Sequence, residues 1–151
     1  MYYIRQVTGG WLCRRILHII GGTGVFMGTK RLLIVDDKRE IRQLVRATLE
    51  FDGWEVFEAE TGDAAVEVAA QVKPDLVVMD MMMPGTIDGM EATRRIKSAP
   101  ESAGCKIIML SGSEMELRET ALEAGVAEFI QKPFSPLDLI EKIGELFGDK
   151  T

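Results

Sequence analysis

Apolar positions along this chain follow two alternating periods. Leu32-Leu33-Ile34-Val35 and Leu76-Val77-Val78-Met79 are unbroken apolar runs, too short for helices and bounded by polar residues, as in strands buried on both faces of a parallel sheet. Lys106–Ser111 and Glu128–Gln131 read as further strands, and Trp54–Ala59 alternates like one. Between them the spacing changes to three and four. Ile41, Leu44, Val45, Thr48 and Leu49 share a helical face behind Asp37 and Glu40, which resemble a helix start, and Gly53 ends that helix. Thr61-Gly62-Asp63 opens a second helix with Ala65, Val68, Ala69 and Val72 on its apolar side, and Pro74 marks its end. A third spans about Asp88 to Lys97. Ser113 with Glu116 forms the capping-box signature of a fourth that ends at Gly125, and Ser135-Pro136 supplies an N-cap and a first-turn proline for a fifth. Five strands alternating with five helices predict an open, doubly wound α/β sheet.

Composition limits what such a sheet could serve. At 151 residues, 46% hydrophobic and 28% charged, the chain has material for one well-cored domain. Of its 18 basic residues three lie in the first 26 positions, which hold no acid, so the remainder sets 15 basic against 24 acidic residues. That balance argues against nucleic-acid binding. Cys13 and Cys105 are too few and too distant for a disulfide framework and fit the reducing cytoplasm. The first 26 residues, with Gly9, Gly10, Gly21, Gly22 and Gly24, show no stable helical period, no transmembrane span and no convincing secretory signal. Met27-Gly28-Thr29-Lys30 offers an ordinary start just before the first strand. A start assigned too far upstream is the favoured reading, and an interaction arm or an extra packing helix is the alternative.

The chemistry lies at the strand ends. Asp36 and Asp37 follow the first apolar run, Asp80 closes another, and Lys132-Pro133 follows Phe129-Ile130-Gln131. In a doubly wound sheet the carboxyl ends of the strands share one edge, where ligands bind. Carboxylates gathered there would repel by about 4 kcal/mol for each pair at 4 Å and an effective dielectric of 20. A divalent cation would relieve them.

These residues, together with Met83-Pro84 after Asp80, Asp88-Gly89, Ser111 after the fourth strand and Lys132-Pro133-Phe134, resemble the receiver domain of bacterial two-component response regulators, of the single-domain chemotaxis type. The resemblance covers about residues 30–148, leaving 1–29 as a leader and 149–151 as a tail. It implies a flavodoxin-like five-stranded sheet in the order 2-1-3-4-5 and a cytoplasmic phosphoacceptor rather than an enzyme. Asp80 would take a phosphoryl group from a sensor histidine kinase or a histidine phosphotransfer protein. Asp37 and Asp80, with the backbone carbonyl of Met82, would hold Mg²⁺, with Asp36 acting mostly through water. Lys132 and Ser111 would contact the phosphoryl oxygens, and Phe129 would be the aromatic switch residue. Met82 and Ser113, two positions beyond Asp80 and Ser111, flank the path of water to the phosphoryl group in that family. One departure stands out: Gly85, Thr86 and Ile87 separate Met83-Pro84 from Asp88-Gly89 where the family usually has two residues.

Taken singly, several of these residues have plainer roles. Asp37 alone would be a helix N-cap, Lys132 a solvated lysine, Ser111 an ordinary strand-end hydroxyl, Phe129 core packing, and the run Met79, Met81, Met82, Met83 adaptable filling rather than a soft-metal box. Their convergence on one edge is what raises them. The favoured function is a stand-alone receiver that switches binding to a downstream protein, with no direct contact to nucleic acid or membrane. A phosphorelay intermediate is the alternative. A small aspartyl-phosphate phosphatase fits less well, since Met82 stands where such an enzyme usually has a general acid.

Overall fold

The computed structural model describes residues 29–50, 53–112 and 117–148. The readings placed on the leader, the tail and the Ser113–Glu116 box lie outside them. Five strands, β1 (Arg31–Val35), β2 (Glu55–Ala59), β3 (Leu76–Asp80), β4 (Lys106–Ser111) and β5 (Glu128–Gln131), form one sheet in the order β2-β1-β3-β4-β5. All neighbours run parallel. The intervening helices are α1 (Arg39–Leu49), α2 (Gly62–Val72), α3 (Gly89–Ser98), α4 (Arg118–Ala124) and α5 (Pro136–Phe147). This is the flavodoxin-like arrangement that the alternation predicts.

Strand periodicity divides the core in two. Leu33, Val35, Val77, Met79, Ile107 and Met109 pack with apolar residues of α2, α3 and α4 on one face. Their alternates Leu32, Ile34, Leu76, Val78, Ile108 and Leu110 pack with Val45 and Leu49 of α1 and Leu139 and Ile143 of α5 on the other. The central strand β3 is buried throughout, which is why it reads as a continuous apolar run up to Asp80.

Helix ends mostly follow their side chains. The Thr61 hydroxyl accepts the Ala64 N–H at 3.1 Å, and Asp88 accepts that of Glu91 at 2.8 Å. At α5 the Ser135 side chain and Asp138 complete a reciprocal capping box, with Pro136 in the first turn. The start of α1 differs from expectation. Lys38, not Asp37, is its N-cap, and no side chain caps it. The Asp36 carboxylate instead accepts the Lys38 N–H at 2.8 Å, which leaves the Asp37 carboxylate exposed and uncommitted to the helix. Trp54 likewise falls just outside β2. Gly53, at φ +78°, serves the turn after α1, which itself ends at Leu49.

One glycine fixes the depth of the acidic edge. A Cβ on Gly89 would lie 2.0 Å from the carbonyl oxygen of Asp80, so the first turn of α3 packs on the strand end only because that carbon is missing. Gly89→Ala should therefore cost about 1–3 kcal/mol through forced backbone displacement. Urea unfolding measures it, and a loss of only a few tenths would show that the contact relaxes freely.

Candidate functional site

Strand register assembles the site. Val35 lies opposite Met79, so the next residues, Asp36 and Asp80, stand side by side at the carboxyl edge of the two central strands. One carboxylate oxygen from each of Asp36, Asp37 and Asp80 falls within 4.8 Å of the others. Asp36 is fully buried and Asp80 is 5% exposed, whereas Asp37 opens to solvent. On the other side Ser111 lies opposite Gln131, and the following residue, Lys132, donates its N–H to the Ser111 carbonyl at 2.7 Å. The Lys132 side chain then reaches across β4, placing Nζ 3.0 Å from both Asp36 Oδ2 and Asp80 Oδ1.

Electrostatics explain this clasp. Burial, reinforced by the neighbouring Asp36 charge, pushes the Asp80 carboxyl above its ordinary range, against the opposing pull of Lys132 and the Met82 N–H. Burial also works against the Lys132 ammonium, but its bonds to Asp36 and Asp80 outweigh that and hold its pKa above that of a free lysine. Three clustered carboxylates thus face one ammonium. Every donor in the cluster is a hard oxygen and one ammonium does not balance three carboxylates, so these residues fit a small divalent ion such as Mg²⁺.

The response regulator receiver domain model matches residues 32–144 of this sequence. The chain belongs to that family. It is 40% identical to the phosphate regulon transcriptional regulatory protein PhoB of Pseudomonas aeruginosa over 115 residues, 76% of this chain and 50% of that protein. It therefore spans about half the length of the curated relatives it matches. Among solved structures, the chemotaxis protein CheY4 of Vibrio cholerae superposes with a TM-score of 0.73 at 28% identity, covering 78% of this chain and 98% of that one. The receiver domain of a sensor histidine kinase from Pseudomonas aeruginosa, solved with magnesium coordinated in its active-site cleft, gives 0.71 at 28% identity, covering 80% and 99%.

The remaining receiver positions lie on β4, on β5 and in the loop after β3. Ser111 is half-buried at the end of β4. Phe129, opposite Met109 on β5, packs half-buried against the α2–α4 face of the core, with the Arg118 guanidinium 5.4 Å from its ring centroid. The Met82 side chain is 64% exposed beside the site. The three-residue loop, one residue longer than is usual in the family, is anchored on α2: Thr86 Oγ1 donates to Asp63 Oδ2 at 2.5 Å, and Ile87 is buried against Gly62, where a Cβ would meet it at 2.8 Å. Two contributors escaped the sequence reading. Arg118 carries no local signal. Arg42 sits between apolar positions of α1 and looks solvated, yet its side chain is only 7% exposed; the alternating Glu58 and Glu60 at the end of β2 are the partners that could have marked it.

A raised folded-state pKa gives Asp80 a definite sign. Its ionised form costs stability at pH values above the folded pKa, and that cost fades only as pH falls through it. In metal-free buffer at mildly alkaline pH, Asp80→Asn should melt a few degrees higher than the parent, whereas Lys132→Met, which removes the clasp, should melt lower. Mg²⁺ should raise the parent's melting temperature more than that of Asp80→Asn. A variant Asp80→Asn that melts lower than the parent would show that the Lys132 bond outweighs the burial of the charge.

Proposed function

We propose that this receiver accepts a phosphoryl group on Asp80 from a phosphohistidine of a sensor histidine kinase and thereby switches its binding to another protein. The observation that carries it is the joint placement of Asp36, Asp37, Asp80 and Lys132 at one sheet edge. A carboxylate oxygen of Asp80 attacks phosphorus, the P–N bond breaks, and its electron pair leaves with the imidazole nitrogen. The product is an acyl phosphate. Asp36, Asp37, Asp80 and the Met82 carbonyl would hold Mg²⁺, which when bound offsets the negative charge of the entering phosphoryl group. Lys132 exchanges one carboxylate for a phosphoryl oxygen, and the Ser111 hydroxyl donates to another. Movement of Ser111 opens space for Phe129 and alters the surface of α4, β5 and α5.

The receiver is read as acting by itself on a protein target, and the acidic charge balance favours a protein over nucleic acid. Among the described residues no helix is long and apolar enough to cross a membrane, which accords with a cytoplasmic site of action. Immunodetection of the native gene product tests the stand-alone reading: it should be no larger than this chain.

Acetyl phosphate with Mg²⁺ should add one phosphoryl group to the intact mass, and neither Asp80→Ala nor a chelated sample should gain it. Labelling that persists in Asp80→Ala would reassign the acceptor. The exposed thioether of Met82 cannot orient an attacking water as an amide can, so the acyl phosphate should be comparatively long-lived. Met82→Asn should shorten its lifetime, followed as loss of phosphoprotein after the donor is removed, with Mg²⁺ affinity unchanged; an equal or longer lifetime would refute this role.

A further inference from the structure

Arg42 is the most buried guanidinium among the described residues, and the proposed chemistry does not use it. It lies in the first turns of α1, directly behind the acidic pair. Its Nη1 donates to the carbonyl of Asp36 at 2.8 Å and to that of Asp37 at 3.4 Å, and its own backbone N–H donates to the carbonyl of Lys38 at 3.2 Å. The guanidinium thus holds two successive carbonyls of the β1–α1 turn, while the backbone N–H makes the ordinary helix bond to the third. The rest of the fork points to β2: Nε to Glu58 Oε2 at 3.2 Å and Nη2 to Glu60 Oε1 at 2.7 Å. Arg46 holds the other oxygen of Glu58, with contacts of 2.7 and 2.5 Å.

This arrangement replaces what the turn lacks. The N-cap Lys38 makes no side-chain cap bond, and the Asp37 carboxylate is exposed without any bond to the helix start. The Asp36 carboxylate is itself held by the Lys38 N–H and by Lys132; what Arg42 adds is a hold on the peptide planes of residues 36 and 37, from which both carboxylates, the exposed one of Asp37 above all, project. A planar guanidinium with five donors in fixed directions does this, and a lysine cannot copy it. We propose that Arg42, braced by Glu58 and Glu60, is a positioning residue that orients the Asp36 and Asp37 carboxylates for a divalent cation. This rests on the reading of Asp36, Asp37 and Asp80 as a Mg²⁺ site.

Charge and positioning predict opposite signs, which makes the idea testable. Removing a cation beside three carboxylates should by Coulomb's law tighten binding of a second cation. Removing a group that orients the ligands should weaken it, by about 10-fold for an outer partner of this kind. Mg²⁺ alone is titrated calorimetrically into the full chain and into Arg42→Met and Arg42→Lys, each first shown to be folded by its thermal melt. Both variants should bind about 10-fold more weakly, and acetyl phosphate labelling of Asp80 should return towards the parent rate at saturating Mg²⁺. Unchanged or tighter binding in a folded variant overturns the proposal, even if stability has dropped. Should Arg42→Met not fold, Arg42→Lys, which keeps the charge and loses the fork, decides alone. Absence of Mg²⁺ binding in the parent chain would instead overturn the reading of the acidic cluster itself.

Discussion

The contact on which the rest of this molecule turns is the clasp of Lys132 on Asp36 and Asp80, 3.0 Å to each. It joins residues 96 and 52 positions apart, so it exists only if β1, β3, β4 and β5 lie in the observed order and register. Burying two carboxylates at a strand edge is costly, and one ammonium shared between them offsets only part of it. The apolar sides of β1 and β3, fully buried on both faces, supply the stability that keeps this charge imbalance in place. A core arranged for stability alone would not leave three acids facing one base.

Around that clasp the groups differ in freedom. The backbone around Asp80 is fixed: Met81 donates to the Leu110 carbonyl at 2.9 Å, Gly89 donates to the Met81 carbonyl at 3.0 Å, and α3 packs against the Asp80 carbonyl itself. Asp37 and Lys132 are the accessible members, the lysine side chain being 21% exposed. In the proposed transfer to Asp80, a fixed carboxylate beside an accessible lysine is an advantage, because the attacking atom must be in place before the donor arrives.

Much of this was legible because parallel strands buried on both faces are written as continuous apolar runs, and the residue that ends each run marks the functional edge. Asp36, Asp80 and Lys132 could therefore be placed together without coordinates, and the β4 and β5 boundaries are those that the pattern predicts. The start of α1 was less legible. Asp37 and Glu40 have the spacing of a helix start, but Asp36 accepts the backbone N–H of Lys38 and Arg42 holds the carbonyls, so the helix begins without a side-chain cap. Local propensity lost to a long-range partner from β2, and nothing within four residues of Arg42 announces Glu58 or Glu60. The inserted loop was illegible for a similar reason, since its anchor at Gly62 and Asp63 lies on another element.

Alternation along β5 sets which surface the site can reach. Phe129 faces the layer of α2, α3 and α4, while its neighbour Ile130 faces α1 and α5, so a displacement passed through Phe129 acts first on α4. The ring is half-buried and lies beneath the Arg118 guanidinium, a contact worth about 0.5–1 kcal/mol where solvent is near. The proposed switching exchanges this half-buried ring between two packings that differ by a few kcal/mol. In the proposed cycle the phosphoryl group needs to supply only that difference, through Ser111, whose carbonyl is already tied to the Lys132 N–H. The same backbone bond ties the ends of β4 and β5 together, so the proposed adjustment would fall to side chains and α4 rather than to the sheet that carries the acidic edge.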